Sequence, residues 1–323
     1  MKFCSRFGRS VLIRPLKQGV LATMALFVFH TVCTLDAADS TDNQCQETSA
    51  AMLKSCTSGA HEAYWLAIAN CENLPTLKER NSCKQKAKND MKSNLKECKD
   101  QFDARQKICK ALGGASYNPV INPNDFVDKI DNQYSALTPG TTFIYETKTK
   151  DGTEHDEFNV TNDTKEILGV RCVVIKDTVT LNGELIEDTF DWFAQDKDGN
   201  IWYFGEEAKQ YAGGDLVGIE GSWKAGVDDA QPGIVMKANP QVHDLYRQEF
   251  SLGVAEDMGK VISLKGTAKV PYGTFKNCLV TRDFSPLEPD VIENKYYAPN
   301  VGLVLTVNVE TGEREELIDI KTK

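Results

Sequence analysis

Aromatic side chains interleaved with carboxylates form the pattern in this sequence that most resembles a working site. In DWFAQDKDGNIWYFGEE, Asp191 and Trp192 precede a DKDGN turn, and Trp202, Phe204 and Glu206 follow it. Trp223, Arg247, Glu249 and Lys295 lie on later segments of the same kind, beside Tyr246, Tyr296 and Tyr297. Aromatic faces with carboxylates suit sugar binding, and aromatic faces alone suit an apolar ligand. Two acids flanking a glycosidic bond are enough to hydrolyse it. Filling a core is what such aromatics ordinarily do in β domains. In a regular strand Trp202 and Phe204 share one face and Tyr203 takes the other.

Other chemistry is scarce. His61, His155 and His243 are the histidines after residue 37, and no spacing ties them to a metal. The sequence contains no G-x-S-x-G, H-E-x-x-H, Walker A or Rossmann glycine pattern. Asp196, Asp198 and Asn200 have the alternate spacing of a calcium loop, but Gly199 comes fourth where such a loop has glycine sixth. Asp-Gly between strands is a hairpin turn. No metal and no cofactor is expected.

The cysteines raise a different question. Cys45, Cys56, Cys71, Cys83, Cys98 and Cys109 are separated by 11, 15, 12, 15 and 11 positions, a palindrome centred on residue 77, beside Pro75 and Thr76. Zinc sites need cysteines two to four apart, and redox pairs need C-x-x-C. Neither spacing occurs here. An antiparallel pair folded at the centre predicts the rungs Cys45 to Cys109, Cys56 to Cys98 and Cys71 to Cys83. On a helix, steps of 11 and 15 return to within about 20° and 60° of the starting direction, so each set of three shares a face. That face carries Met52, Ala60, Ala63 and Ala67 on the first helix, and Ala87, Met91, Leu95 and Phe102 on the second. Small alanines allow the close approach a disulfide requires. Such a narrow seam buries too little surface to fold unaided, and each rung can add about 2 to 4 kcal/mol. Cys172 and Cys278 remain; a bridge between two strands is expected, with two buried thiols as the alternative.

These residues imply an α+β chain. A signal peptide is expected over residues 1–37, where Arg6, Arg9, Arg14 and Lys17 precede the apolar run 20–35 and small residues follow at Ala37 and Ala38. A disulfide-laddered helical hairpin follows over residues 43–112, then a Gly/Asn/Pro-rich linker over 113–134. An antiparallel β domain occupies 135–323. There the period changes to two through TFIYETKT, EHDEFNVT, RCVVIKDTVTL, LIEDTFDWFAQ, NIWYFGE, LVGIEGSWKA, LYRQEF, KVISLKG, TFKNCLVTRDF, VIENKYYA and GLVLTVNVE. A meander of that many strands should curl into a barrel, a half-barrel or two packed sheets.

Leader and cysteines together imply an exported protein, periplasmic or extracellular, with no membrane span once the leader is removed. Residues 38–323 hold 32 Lys and Arg against 46 Asp and Glu, a net of −14 that repels nucleic acid and anionic lipid. The charge is unevenly placed. Residues 45–110 carry a net +4, and residues 111–323, with 20 basic and 36 acidic residues, a net −16. A solvated face is the ordinary reading of such a basic helix; the sharper one is that the hairpin docks on its own acidic domain or on an acidic partner.

DWFAQDKDGNIWYFGEE, GSWKAGVDDAQPGIVMKA and VPYGTFKNCLVTRDFSPLEPDVIENKYYAPNVGLV resemble segments of a widespread group of exported bacterial β-rich proteins without a settled activity. That resemblance implies fold and compartment. The ending YYAPNVGLV is similar to the closing hairpin of periplasmic half-barrels related to lipoprotein carriers, which hold lipid in the barrel mouth. Three functions follow. The favoured one is a non-enzymatic binding or accessory protein whose β domain holds a small ligand or partner segment. The others are a carbohydrate-active enzyme using paired carboxylates, and a structural envelope protein that interacts through its hairpin.

Overall fold

A computed structural model describes residues 43–322; the expected leader, with Cys4 and Cys33, lies outside the described residues. Two long helices come first, α1 (Gln44–Glu72) and α2 (Leu77–Leu112). The turn between them is set by TLKE. Thr76 Oγ1 accepts from the Glu79 amide and Glu79 Oε2 accepts from the Thr76 amide, a reciprocal box that satisfies the start of α2. Arg80 Nη1 donates to the Leu74 carbonyl at 2.8 Å and fixes the preceding loop. At the far end Gly113 takes a left-handed φ of 89° and the Gly114 amide closes on the Cys109 carbonyl.

All three rungs are present: Cys45–Cys109, Cys56–Cys98 and Cys71–Cys83, with Cα separations of 5.5, 5.7 and 5.5 Å. Ala60 and Ala87 are buried in the seam between them. The open end of the hairpin docks on the β domain. Arg105 Nε and Nη2 donate to both oxygens of Glu256 at 2.8 and 2.7 Å, with both side chains buried. Gln101 Nε2 donates to the Leu287 carbonyl, and Arg247 Nη2 approaches Cys45 Sγ at 3.7 Å.

The β domain comprises β1 (Phe126–Val127), β2 (Thr141–Thr149), β3 (Gly152–Ile167), β4 (Val170–Leu181), β5 (Glu184–Asp196), β6 (Ile201–Ala212), β7 (Asp215–Gly218) and β8 (Trp223–Lys224). It continues with β9 (Gln231–Met236), β10 (Leu245–Arg247), β11 (Glu249–Phe250), β12 (Met258–Val270), β13 (Gly273–Phe284), β14 (Ile292–Ala298), β15 (Gly302–Asn308) and β16 (Arg314–Thr322). The antiparallel order is β10-β12-β13-β14-β15-β16-β2-β3-β4-β5-β6-β9-β11. The two ends of that path, β10 and β11, are nearly contiguous in sequence, and β10 also lies against β9, so the sheet is nearly closed into a barrel.

Three features differ from the sequence reading. First, β9 and β16 are full strands, and β16 fills the gap between β15 and β2 on which closure depends. Second, the linker is strapped to the barrel. β1 pairs with the end of β5, the amides of Asp131 and Asn132 donate to Gln195 Oε1, and Ile130 is buried. Third, Cys172 and Cys278 do not form a bridge but are buried free thiols. Cys172 is on β4 and Cys278 on β13, and five strands separate them in the sheet order. Burial in the core pushes the Cys172 thiol up to about 12.

Candidate functional site

The nine residues singled out in the sequence go to four places. Trp192, Phe204 and Trp223 belong to the hydrophobic core. Trp202 and Phe204 do share a face, and the linker covers it: the Phe126 ring meets them edge-on at 6.3 and 5.6 Å. Trp202 is partly exposed and donates its indole N–H to Asp196 Oδ2 at 2.8 Å. Asp196 also accepts from the Asn200 amide and side chain, making DKDGN a self-capped hairpin turn. Trp192 is covered by the Lys165 ammonium, 3.5 Å from its ring.

Asp191, Glu206 and Glu249 meet inside the barrel around a residue the sequence reading passed over. The Tyr203 hydroxyl lies 2.6 Å from Asp191 Oδ1 and 3.0 Å from Glu206 Oε2. Three residues apart on a regular strand, Tyr203 and Glu206 would face opposite ways. A register shift between β5 and β6 brings them to one side. Gly205 makes this bulge feasible: its φ is 130°, and a Cβ there would stand 2.3 Å from the Trp223 carbonyl of β8.

Burial, reinforced by the charges of Asp191, Glu206 and Glu249, drives the Tyr203 phenol far above its ordinary range. Glu249 is fully buried, and no hydrogen-bond donor reaches either of its oxygens. The Trp223 indole favours its charged form but falls short of hydrogen-bond geometry. Burial, with Asp257 and Glu206 nearby, therefore raises the Glu249 carboxyl well above the usual range.

The two remaining residues serve elsewhere. Lys295 Nζ is buried 3.3 Å from Asp283 Oδ2 and 3.8 Å from Glu293 Oε2. Next to this knot, burial raises Asp257 to about 7, against a hydrogen bond from Ser285 and the charge of Lys295. Arg247 sits at the hairpin junction, its guanidinium 4.6 Å from the Phe250 ring and 5.5 Å from Tyr117. His155 lies 3.7 Å from both Glu146 and Glu157 at the surface. Among the described residues no three His, Cys, Asp or Glu side chains are grouped to hold a metal ion.

The barrel interior also contains a cleft that none of the nine residues lines. It has about 550 Å³ of atom-free space including its open mouth, of which about 40 Å³ admits the centre of a water-sized sphere. Ser135, Ala136 and Leu137 lie on one side, just before β2. Opposite stand Phe143 and Tyr145 of β2, Phe158 of β3, Phe193 of β5, Ile201 of β6, and Val235 and Met236 of β9. The segment YYAPNVGLV supplies Tyr297, Val301, Gly302 and Leu303. The strap and that hairpin are joined where the Asn300 amide donates to the Gln133 carbonyl at 2.6 Å, and the Tyr145 hydroxyl donates to the Leu303 carbonyl at 2.9 Å. The signals were present in sequence as the alternation of Phe143 with Tyr145 and the position of Phe193 two residues past Asp191.

No family model and no curated protein matches this chain. A structural similarity exists to a Parabacteroides distasonis ATCC 8503 protein provisionally described as a lipoprotein, with 14% identity over 59% of this chain and 99% of that one. The TM-score is 0.29, too loose a superposition to bear on fold or function. Compartment rests on the molecule itself: three disulfides mark a protein exported from the reducing cytoplasm. Among the described residues no helix is long and apolar enough to cross a membrane.

Proposed function

We propose that this chain is a non-catalytic binding protein whose barrel holds a slender apolar group, such as an acyl chain or the apolar side chains of a partner segment, in the cleft beside the strap. The observation that carries this reading is the cleft's lining, which is almost wholly aromatic and aliphatic. The cleft is narrow: about 40 Å³ admits the centre of a water-sized sphere, room for a few waters or one slender apolar group and too little for a bulky ligand. The similarity of YYAPNVGLV to the closing hairpin of lipid-holding half-barrels supports the same reading, since four of those residues line the cleft.

A glycosidase is less well supported. Asp191 and Glu206 do converge on one hydroxyl, but they are buried among core residues and neither lines the cleft. The test is native mass spectrometry of protein purified from its own host, followed by titration with a fluorescent fatty acid. Saturable one-to-one binding is expected, and Val235→Trp, which fills the cleft, should abolish it. Absence of both a co-purified apolar ligand and saturable binding would refute the reading.

A further inference from the structure

The hairpin extends well beyond its attachment. From Gln101, which touches the barrel at the Leu287 carbonyl, back to Leu77 is about 24 residues, or roughly 36 Å of helix. The contacts that fix the hairpin lie at its open end: Arg105 and Gln101, Cys45 beside Arg247, and Met52 against Gly253. At the other end Trp65, Leu66 and Leu77 are 65%, 56% and 66% exposed. The seam does not use them, since the helices meet through the cystines, Ala60 and Ala87. Residues 61–99 hold eight Lys and Arg against five Asp and Glu; Lys84, Lys86, Lys96 and Lys99 are paired with Glu72, Asp90, Asp100 and Asp103, while Lys78, Lys88 and Lys92 are exposed outside those pairs.

We propose that the tip of this arm docks on a lipid surface bearing anionic headgroups, with Trp65, Leu66 and Leu77 seated at the boundary between headgroups and acyl chains and the lysines of α2 behind them. Area argues against a second copy of the chain. At about 150 to 250 Å² for a whole aromatic side chain, the three together offer on the order of 400 Å², whereas a stable protein interface needs about 800 Å² from each partner. A tryptophan and two leucines backed by lysines are instead the composition of an interfacial anchor.

The net −14 of residues 38–323 argues against an anionic surface only if the charge is treated as a single point. The acidic residues are concentrated in residues 111–323. The arm carries its tip roughly 36 Å of helix beyond its last barrel contact at Gln101, several times the screening length of about 8 Å at physiological salt. The arm therefore supplies both the contact and the distance. This inference is independent of the cleft.

The test mixes the oxidised chain of residues 38–323 with vesicles of phosphatidylcholine and phosphatidylglycerol, and with vesicles of phosphatidylcholine alone. Co-sedimentation with the mixed vesicles is expected, with quenching of tryptophan emission by brominated acyl chains that disappears in Trp65→Phe. Trp65→Ser combined with Leu66→Ser and Leu77→Ser should weaken binding at least tenfold, and Lys78→Glu with Lys88→Glu should weaken it and flatten its salt dependence. Both sets alter exposed positions, and an unchanged circular dichroism spectrum establishes that they fold. Failure to bind the mixed vesicles, equal binding to the neutral ones, or full binding by the triple variant would overturn the proposal. So would a dimer by light scattering that the triple variant converts to monomer, which would assign the tip to a second copy.

Discussion

Glu249 and Asp257 should make the protein less stable as the pH rises from 4 to 7, against the trend in which paired carboxylates add stability over that range. Both carboxyls are buried, and burial raises both. A carboxyl whose folded-state value is raised binds its proton more tightly folded than unfolded. Its contribution is thus fully present below the unfolded value, near 3.8 for Asp257, and is lost as pH climbs through the folded value of about 7. At about 1.4 kcal/mol per unit, Asp257 alone makes the folded state about 4 kcal/mol less favourable at pH 8 than at pH 3.

Asp257→Asn combined with Glu249→Gln removes both titrations while keeping shape, and Asn retains an oxygen to accept from Ser285. Urea unfolding at half-unit steps from pH 4 to 8 should show a falling stability in the parent that is absent in the double variant. The variant should melt several degrees higher at pH 8, since a domain of this size shifts about 2 to 4 °C per kcal/mol. Parallel curves for the two proteins across this range would refute the assignment of buried, proton-holding acids.

Other outcomes follow from the same geometry. Arg105→Ala strands Glu256 in a buried site and should cost about 3 to 5 kcal/mol, whereas Arg105→Met with Glu256→Leu should recover most of it, as read by denaturant unfolding. Trp223→Ala should cost about 3 to 5 kcal/mol as a core truncation, and Trp202→Ala clearly less because its ring is partly exposed. For residues 38–323, non-reducing peptide mapping should recover the three mirrored rungs, while thiol titration should find Cys172 and Cys278 reactive only after unfolding. Reduction should melt the hairpin and leave the barrel's β signature in circular dichroism, because the barrel core holds no cystine.

The hairpin was legible because covalent geometry projects directly onto sequence. Cysteines that must meet across two antiparallel helices have to be mirrored, and the mirror centre falls beside Pro75 and Thr76, where the chain turns. The DKDGN turn was legible for a similar local reason. The parts that were not depend on partners far along the chain. REELIDIKT carries too many charges to read as a strand, and its place between β15 and β2 is set by closure of the sheet. The bulge at Gly205 turns Tyr203 toward Glu206, which simple alternation along β6 forbids. Phe126 covers Trp202 and Phe204 from a segment whose Asn, Gly and Pro content reads as a tether. Cys172 and Cys278 were left over by counting, and counting says nothing about the five strands between them.

The buried acids and the apolar cleft are adjacent layers of one interior. Asp191 is two residues before Phe193 on β5, and Lys295 two before Tyr297 on β14, so each strand places a charged and an aromatic side chain on the same face, about 7 Å apart. Phe193 and Tyr297 line the cleft, whereas Asp191 and Lys295 do not. Tyr203 couples the layers, stacking on Phe193 at 4.7 Å while its hydroxyl holds Asp191 and Glu206. Water entering the cleft would meet aromatic faces before any carboxylate, so Glu249 keeps the low-dielectric surroundings that raise it.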